Sequence, residues 1–431
     1  MSNRGEQQVN DFELGDPLGQ WQETPQDWTK KTLWELAQYI NGRAFKPSDF
    51  SPTGLRIIKI TELKYGISAA TSHYDGDYEE KHALQNGDLL FAWSGNPETS
   101  LDIFWWGDGK ALLNQHIFRL VPGQGIDKQY LFYLLKFLRS TFIGTARDKA
   151  TSMGHVKISD LKRLVAYIPP PDEQQAIAQL LSPLDDKIEL NRRMNETLEA
   201  IARAIFKSWF VDFDPVRAKM GGRQPFGMDL ETAALFPDSF QPSSLGNIPK
   251  KWLPSKWGEL VTLEYGKSLS GYEGRQGAYP VYGTNGQIGT CSEPLCKHPG
   301  IIIGRKGAYR GVHFCKSPFF AIDTAFYIEP KASLEMRWAY YEMLLQDLNS
   351  MDSGSAIPST SREDFYMLPV VVPRLEIQQR FVQLLTPCWD RQERNEQESR
   401  TLAAARDALL PKLISGEIRV KDAEKLASSI P

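Results

Sequence analysis

The segment QQAIAQLLSPLDDKIELNRRMNETL (174–198) occurs a second time in the chain, as QQRFVQLLTPCWDRQERNEQESRTL (378–402). At a fixed offset of 204 residues, 11 of the 25 positions are identical. Unrelated segments of ordinary composition would match at only about one or two such positions. The chain therefore contains an internal duplication, and a duplication has to be recognised before the fold is predicted.

The duplication also includes the beginning of each half. At an offset of 224 residues the matched pairs are Pro25 and Pro249, Trp28 and Trp252, Glu35 and Glu259, Leu36 and Leu260, and Gly42 and Gly266. The offset then falls from 224 to 204, so the variable stretch of the first half is 20 residues longer. This pattern indicates a repeated frame with a different insert in each copy, which two different binding specificities would require. Two structural domains that have drifted apart are the alternative.

The composition is that of a globular protein. A length of 431 residues predicts two or three domains, and the hydrophobic fraction of 41% is ordinary. No apolar run approaches the roughly 18 residues of a transmembrane helix. The N-terminal MSNRGEQQVN lacks the apolar core of a signal peptide. The prediction is a cytoplasmic protein without a membrane span.

The net charge of −3 conceals local basic clusters. Five basic residues and no acidic one lie between residues 294 and 322, and five basic residues meet only two aspartates between residues 147 and 163. Clustering matters more for nucleic-acid binding than the overall sum. Because each cluster falls within a divergent insert, we expect phosphate contact, although a solvated surface is the simpler alternative.

The four cysteines contain no C-x-x-C pair. Cys291 and Cys296, with His298 or His313, could be imagined around zinc, but the spacing does not fit the usual structural sites. The sequence therefore predicts reduced, mostly buried thiols and no metal ligands.

The repeated segment has a helical pattern of apolar residues from about 172 to 210. Asp172 is the predicted N-cap, and Pro183 and Pro387 are expected to interrupt or restart the two helices. Neither helix can bury its apolar face alone, so the two copies should pack as an antiparallel coiled coil. The residues predicted for the helix pair and partner interface are Leu181, Leu184, Ile188, Asn191, Leu198, Trp209, Leu385, Asn395, Leu402 and Leu409.

Asn191 and Asn395 occupy equivalent positions of the repeat. A polar residue on the inward face of a helix pair can fix its register, but both side chains could equally be exposed. Residues 184–209 would span about 39 Å as a helix. That length is close to one turn of B-DNA, about 34–36 Å, so the helices could hold two DNA readers at successive major grooves.

Each insert is predicted to be mixed strand and loop. The predicted strands are 56–60, 88–93, 117–121, 280–282, 301–304, 312–314 and 325–328, and the predicted helices are 128–142 and 334–348. Glycine-punctuated loops between them carry basic and amide side chains, which suit phosphates and base edges. The candidate DNA-binding residues are Ser94, Asn96, Asn114, Gln115, Arg147, Lys149, Ser152, His155, Tyr282, Thr284, Asn285, Arg305, Lys306, Tyr309, Arg310 and Ser355. For each one an ordinary solvated loop residue is the alternative.

Motifs for enzymatic chemistry are incomplete. Gly266-Lys267-Ser268 ends like a phosphate-binding loop, but Val261 stands where the first glycine is needed. Asp172, Asp185 and Lys187 resemble a nuclease carboxylate set only nominally, since the second copy lacks it. No catalytic residues are predicted, and the chain looks like a recognition protein.

The chain resembles the specificity subunit of type I restriction–modification enzymes over nearly its whole length. In the first half the resemblance rests on GDLLFAWSGNPETS (87–100), LLNQHIFRL (112–120) and the segment PPPDEQQAIAQLLSPLDDKIELNRRMNETLEAIARAIFKSWFVDFDPVRAK (169–219). In the second half it rests on YPVYGTNGQIG (279–289), IIIGRKGAYRGVHF (301–314) and IDTAFYI (322–328). The second copy departs from the family pattern at Val372–Glu376, which replaces the proline-rich run of the first.

The resemblance implies that each insert is a target-recognition domain reading one half of a split, asymmetric DNA sequence. It also implies that the helices dock two modification subunits, which carry S-adenosylmethionine and methylate adenine. Restriction subunits that use ATP and Mg²⁺ would join them, and this subunit would have no cofactor of its own. A coiled-coil scaffold that does not bind DNA is the alternative function, and an autonomous nuclease or methyltransferase is a third.

The predicted fold is α+β, with two mixed α/β recognition domains, two long helices and a pseudo-two-fold internal repeat. The predicted segments are an N-terminal arm (1–24), recognition domain 1 (25–168), a central helical spacer (169–213), a connector (214–248), recognition domain 2 (249–371), a C-terminal helical spacer (372–418) and a tail (419–431).

Overall fold

The computed structural model describes residues 21, 24–147, 154–272, 277–307, 309–351 and 358–420. In the first half the strands are β1 Thr29–Thr32, β2 Ala37–Asn41, β3 Leu55–Ile58, β4 His73–Tyr74, β5 Ala83–Leu84, β6 Leu89–Ala92, β7 Ser94–Gly95, β8 Asp102–Trp105, β9 Ala111–Leu113, β10 Ile117–Pro122, β11 Gly154–His155 and β12 Val165–Ile168. The helices there are α1 Leu33–Leu36, α2 Ile60–Tyr65, α3 Pro97–Ser100, α4 Lys128–Phe137, α5 Arg139–Arg147, α6 Ile158–Leu161 and α7 Pro171–Phe206. Single turns of 3₁₀ helix lie at Pro47–Asp49 and Glu80–His82, and a π-helical turn follows α7 at Lys207–Val211.

In the second half the helices are α8 Asp214–Met220, α9 Leu230–Leu235, α10 Trp257–Leu260, α11 Met336–Met343, α12 Arg362–Met367 and α13 Leu375–Ser415. The strands there are β13 Phe240–Ser243, β14 Gly246–Pro249, β15 Leu253–Lys256, β16 Val261–Tyr265, β17 Tyr279–Gly283, β18 Gly286–Cys291, β19 Gly300–Gly304, β20 Val312–Cys315, β21 Phe320–Ala321, β22 Ala325–Pro330 and β23 Pro369–Val372. The chain forms two compact units, one of residues 1–190 with 397–431 and the other of residues 191–396.

The same four-stranded antiparallel sheet lies at the centre of each unit. Its order is β2-β10-β6-β8 in the first unit and β16-β22-β19-β20 in the second. In each case the outer strand that follows the shared entry segment, β2 or β16, pairs antiparallel with a strand from later in the insert, β10 or β22. Further strands extend each insert differently, as β4-β3-β9-β5 in the first and β18-β17-β21 in the second. The inserts are therefore divergent in sequence but share one β framework.

Two residues shared by the halves, a glutamate and a glycine, have the same structural role in both units. Glu35 accepts a hydrogen bond from the Thr32 backbone at 2.7 Å, and Glu259 accepts one from the Lys256 backbone at 3.3 Å, so each caps a short helix. A Cβ atom on Gly42 or on Gly266 would lie 2.0 Å from a backbone carbonyl oxygen. Only glycine permits these two close approaches between strands.

The long helix α7 starts earlier than predicted and is not interrupted. It begins at Pro171, so Asp172 lies in the first turn and is not the N-cap. Proline suits the first helical position, where its missing N–H costs nothing. The helix continues through Pro183, which is exposed, and α13 likewise continues through the exposed Pro387. Water can bond the carbonyl that each proline leaves free, while packing on the opposite face holds the helix.

The other predicted elements differ mainly at their ends. The predicted helix 128–142 is two helices, because Leu138 leaves the helical conformation with ψ 2° between α4 and α5. The predicted helix 334–348 shortens to α11, Met336–Met343. The seven predicted strands are present as β3, β6, β10, β17, β19, β20 and β22, with bounds shifted by one or two residues.

Within each unit, residues of α7 and α13 pair in an antiparallel sense, which confirms the predicted helix pair. In the first unit Arg406 bonds Asp185 at 2.5 Å and Lys187 pairs with Glu398 at 3.2 Å. Leu181 is fully buried there, with Leu409 partly buried beside the same core. Leu184, Ile188, Leu198 and Leu402 are each half-buried.

In the second unit the helix pair is joined by amide side chains. Asn191 donates to the Asn395 carbonyl at 3.3 Å, and Asn395 donates to Asn195 Oδ1 at 2.7 Å. Asn195 and Gln392 exchange bonds with each other's backbone at 3.2 and 3.1 Å. Asn191 and Asn395 are each only 1% exposed, so the structure places both on the inward face. Trp209 and Leu385 are buried in the apolar core of the same unit.

The repeat is not symmetric in packing, as one pair of equivalent positions shows. In the first unit Tyr133 donates to Asp185 at 2.8 Å beside a cleft of about 370 Å³. The equivalent residues of the second unit are Tyr341 and Trp389, and Trp389 donates to Tyr341 at 3.1 Å with their rings stacked. In the second unit the Trp389 indole therefore takes the place of the Asp185 carboxylate, beside which the first unit has an open cleft.

A repeated glutamine joins each long helix to its recognition insert. Gln174 accepts the backbone N–H of Asp127, the residue before α4, at 2.8 Å and donates to Pro169 at 2.9 Å. Gln378 accepts the N–H of Glu335, the residue before α11, at 3.1 Å and donates to Pro373 at 2.9 Å. Both side chains are 1% exposed. The glutamine is thus identical in the two copies because it has the same role in both: it is buried and fastens the long helix to the insert. This contact is called the glutamine joint.

We expect Gln174→Leu and Gln378→Leu each to lower the free energy of unfolding by about 1–3 kcal/mol, because buried backbone groups lose their partners. Thermal or urea unfolding of the full chain measures the shift. The adjacent glutamines, Gln175 and Gln379, are exposed. Their leucine variants are matched controls and should change stability by less than about 0.5 kcal/mol. Equal losses of stability in the buried-glutamine variants and in their exposed neighbours would contradict the role of the glutamine joint.

No helix in the part of the chain that the structure describes is both long enough and apolar enough to cross a membrane.

Candidate nucleic-acid interface

Both units bring the same four chain segments together at one edge of the central sheet, namely the edge formed by the ends of its strands. In the first unit these are the end of β2, the residues after β6, the residues before β10 and strand β11. Trp93, after β6, donates its backbone N–H to His116 at 3.2 Å and accepts that of Val156 at 3.0 Å. This edge is called the β6 edge.

The second unit repeats these backbone bonds with different side chains. Arg305, after β19, donates its backbone N–H to Thr324 at 2.8 Å and accepts that of Thr360 at 2.9 Å. Arg305 therefore corresponds to Trp93. The edge formed by the end of β16, the residues after β19, those before β22 and residues 358–360 is called the β19 edge.

The side chains of the β6 edge are aromatic and neutral polar. Trp93 donates its indole N–H to Asn41 at 3.2 Å, and its ring lies 5.9 Å from each of His116 and His155. Gln115 lies 3.3 Å from His116 Nε2. Burial lowers the pKa of His116, and the neighbouring His155 lowers it further. His116 therefore resists charging, and the edge offers hydrogen bonds and ring faces.

Arg147 is the cation at the margin of this first unit's insert. It forms an ion pair with Glu98 and is largely exposed. Asn96 is exposed, but its side chain accepts the backbone N–H groups of Glu98 and Thr99 at 3.0 and 3.2 Å, as a helix cap. Both of these bonds use Oδ1, so the capping role does not occupy the donors of the Asn96 amide group.

The β19 edge is cationic. The guanidinium groups of Arg305 and Arg362 lie 4.8 and 5.0 Å from the centre of the Tyr265 ring, which is 46% exposed. Arg305 also donates to the Asp323 carbonyl at 2.9 Å. Stacking on an aromatic face orders an arginine without neutralising its charge. Lys306 is exposed beside this cluster.

Two further predicted residues of the second unit lie exposed near this edge. Asn285 occupies the turn between β17 and β18, and Tyr309 is 80% exposed after β19. Thr284 has a different role, since its hydroxyl lies 2.9 Å from the carbonyl oxygens of both Lys306 and Thr324. That hydroxyl holds the loop together and is partly buried.

Arg310 contradicts the prediction of DNA contact. It is 4% exposed, and its guanidinium donates to the carbonyl oxygens of Gly307, Leu348, Asn349 and Met351 at 2.7–3.1 Å. A planar fork of donors can satisfy several carbonyls at once. Arg310 therefore fastens the loop after β19 to residues 348–351.

Three other candidates are less accessible than predicted. Ser94 is 1% exposed within β7, Asn114 is 9% exposed, and Tyr282 is partly buried against Phe319. Ser94 and Asn114 are buried and Tyr282 is half-buried, so each has less side-chain surface for a ligand than the sequence predicts. The candidates Lys149, Ser152 and Ser355 lie outside the described residues.

The structure adds residues that the sequence patterns did not single out. Tyr265 and Arg362 are separated by almost a hundred residues, and Asn41 and Trp93 by about fifty, so no local motif joins them. One signal was available: Asn41 and Tyr265 each precede the shared glycine, at Gly42 and Gly266. The two copies thus differ directly before a repeated residue, and both differing side chains lie at the edges described above.

The match to a known protein family shows the same division of this chain into two halves. The type I restriction modification DNA specificity domain matches residues 25–200 and again residues 249–402. The specificity subunit of the type I restriction enzyme MjaIX from Methanocaldococcus jannaschii is 26% identical over 340 residues, covering 72% of this chain and 73% of that protein. The specificity subunit of the HindI enzyme from Haemophilus influenzae is 32% identical over 217 residues, covering 48% of this chain and 46% of that protein.

A solved structure shares the fold. The S subunit of a type I restriction–modification system from M. genitalium has a TM-score of 0.55 and 18% identity, covering 91% of this chain and 96% of that one. The two domain matches account for well over half of the sequence, and each includes one β-sheet unit with one long helix. The chain belongs to the family of type I restriction–modification DNA specificity subunits.

Proposed function

We propose that the two units read the two halves of a split, asymmetric double-stranded DNA sequence, one with the β6 edge and the other with the β19 edge. The observation that carries this proposal is the equivalence of Trp93 and Arg305. The same backbone bonds hold both residues, yet one edge presents an indole, an amide and imidazoles while the other presents guanidinium groups and an ammonium group. A backbone frame shared by the two units, with different side chains on it, is what two different base sequences require.

The polar and basic side chains of the two edges suit the two kinds of DNA contact. Arg305, Lys306 and Arg362 can bond phosphates, or guanine through its O6 and N7 acceptors. Gln115 can pair with adenine, and Asn96 and Asn285 offer amide groups at the margins of the two edges. Arg147 supplies a phosphate contact beside the β6 edge. Arg310, Ser94 and Asn114 are not among these contacts, because their side chains are buried.

We further propose that α7 and α13 set the spacing between the half-sites and dock two modification subunits. Both helices are continuous, over 36 and 41 residues, as a spacer requires. The chain would contribute selection and no chemistry, while S-adenosylmethionine, ATP and Mg²⁺ would bind in modification and restriction subunits. The names of the relatives, each a specificity subunit of a restriction enzyme, support this division of labour.

Exchanging residues 25–168 for the corresponding insert of another family member should change one half of the methylated DNA sequence and leave the other half unchanged. The reason is that each β framework folds within its own unit. Sequencing of methylated sites in cells that carry the hybrid and its modification subunit measures the outcome. The reciprocal exchange of residues 249–371 is the matched control and should change the opposite half. Alteration of both halves, or of neither, by a single exchange would refute the proposal.

A further inference from the structure

Strand β19 ends at the β19 edge, and a different cluster lies at its other end. Cys296, His298 and Glu329 each bring one potential metal-ligand atom within 4.8 Å of the others, and this is the one such group found among the described residues. Cys296 and His298 precede β19, whereas Glu329 belongs to β22. Ile302 pairs with Tyr327 in antiparallel register, so the residues before Gly300 necessarily lie beside Glu329.

The distances within the cluster are close to the edges of a tetrahedral coordination shell. His298 Nε2 lies 3.0 and 3.2 Å from the two Glu329 oxygens, and Cys296 Sγ lies 3.6 Å from the imidazole nitrogens and 4.0 Å from Glu329 Oε1. Usual zinc bond lengths predict separations of about 3.3 Å for nitrogen to oxygen and about 3.5 Å for sulfur to either. Because the sulfur is equally far from both imidazole nitrogens, it lies over the ring face. The His298 ring therefore has to rotate and the Glu329 carboxylate has to move, and these side chains are 45% and 39% exposed.

The surroundings fix the position of Cys296 and favour one tautomer of His298. His298 Nδ1 lies 2.9 Å from the Pro299 carbonyl oxygen and is placed to donate its proton there, which leaves the Nε2 lone pair for a ligand. Metal-binding histidines usually make such an outer hydrogen bond. Cys296 exchanges two backbone hydrogen bonds with Phe319, at 2.9 and 3.0 Å, and is 2% exposed. The thiol is therefore fixed, while the imidazole and carboxylate face solvent and give an ion a path of entry.

We propose that Cys296, His298 and Glu329 form a binding site for a zinc-class divalent cation, with water as the fourth ligand. Thiolate, imidazole and carboxylate together favour Zn²⁺ over Mg²⁺ or Ca²⁺, which prefer oxygen ligands only. The ion would join the segment before β19 to the sheet and so stabilise the second recognition unit away from its β19 edge. Its role would be structural.

Binding has a defined proton balance. Burial raises the pKa of the Cys296 thiol to about 11, so the free site holds the neutral thiol, and coordination releases that proton to solvent. The Pro299 carbonyl, followed by Glu329, raises the pKa of His298, so the imidazolium must also lose its Nε2 proton at lower pH. Metal affinity should therefore increase as the pH rises.

The test uses the full-length chain, treated with a chelator and then titrated with Co²⁺ as a spectroscopic probe for Zn²⁺. We expect one cobalt per chain, with a thiolate-to-cobalt charge-transfer absorption, and a higher unfolding temperature on adding Zn²⁺. Cys296→Ser and His298→Ala should lose the absorption. Cys291→Ser, a buried thiol of the same unit, and Cys388→Ser should keep it.

Because His298 is partly exposed, His298→Ala should fold even if Cys296→Ser does not, and circular dichroism verifies this. Absence of the charge-transfer absorption in the wild-type chain would overturn the proposal and leave a His298–Glu329 ion pair. So would an unchanged absorption in either ligand variant.

Discussion

Arg310→Met is expected to lower the free energy of unfolding of the second unit by about 3 kcal/mol or more. The Arg310 side chain is 4% exposed, and its guanidinium donates hydrogen bonds to four carbonyl oxygens. Methionine fills the same volume but cannot donate a hydrogen bond, so these oxygens lose their partner. The loop after β19 and residues 348–351 should separate. DNA binding would then be lost indirectly, through disorder of the β19 edge.

Urea unfolding of the full chain measures this effect, and hydrogen exchange of residues 304–311 and 348–351 locates it. Lys297→Met is the matched control, because Lys297 is exposed in the same basic run and should cost less than about 0.5 kcal/mol. Arg310→Lys retains the charge but not the planar fork, so it should fall between the two. If Arg310→Met unfolds like the control, the guanidinium does not fasten the loop.

The architecture could be predicted from the sequence because an internal duplication is detected by residue identity, which does not depend on secondary-structure propensity. Identity at fixed offsets separated frame from insert, and the frame residues turned out to be structural: Glu35 and Glu259 cap helices, while Gly42 and Gly266 allow close strand approach. The helix pair was also predictable, since an apolar stripe of that length has to be covered.

Individual side chains in the basic run were not predictable in the same way. Arg305 and Arg310 are five residues apart in one glycine-rich loop, and composition gives them the same probability of contacting phosphate. Arg310 differs because carbonyl oxygens within residues 348–351 accept its hydrogen bonds. The guanidinium of Arg305 instead bonds the Asp323 carbonyl and stacks on Tyr265. Cys296 and His298 are considered around zinc in the sequence and rejected on their spacing, but spacing does not take account of Glu329, which lies beside them on strand β22.

Proline was overestimated as a helix breaker. Pro183 and Pro387 were predicted to interrupt helices, at a cost of about 3 kcal/mol each in a helix interior. Leu181 and Leu385, each two residues earlier, are almost fully buried, and their packing holds the backbone through the gap. Packing of these helices therefore had more influence on their continuity than the low helix propensity of proline.

The paired substitution Arg305→Ala with Lys306→Ala is expected to weaken DNA binding by about 10- to 100-fold while leaving the fold and assembly with partner subunits intact. Neither side chain is in the core: Arg305 stacks on a half-exposed tyrosine, and Lys306 is exposed. If both cations contact phosphates, the plot of log affinity against log salt should lose a slope of roughly two. Fluorescence anisotropy at several salt concentrations, with DNA that contains the methylated sequence, provides both values.

The matched control removes the same charge elsewhere in the unit. Lys250→Ala with Lys297→Ala deletes two exposed lysines, and Lys297 precedes β19 at the end opposite Arg305. Affinity and salt slope should then change little, because beyond about one Debye length of 8 Å a charge is largely screened at physiological salt. Arg362→Ala, which removes the other guanidinium from Tyr265, should weaken binding by an intermediate amount. Equal losses in the two double variants would show that overall charge, and not the β19 edge, determines affinity. Loss of partner assembly in the Arg305 and Lys306 variant would instead make the loop structural.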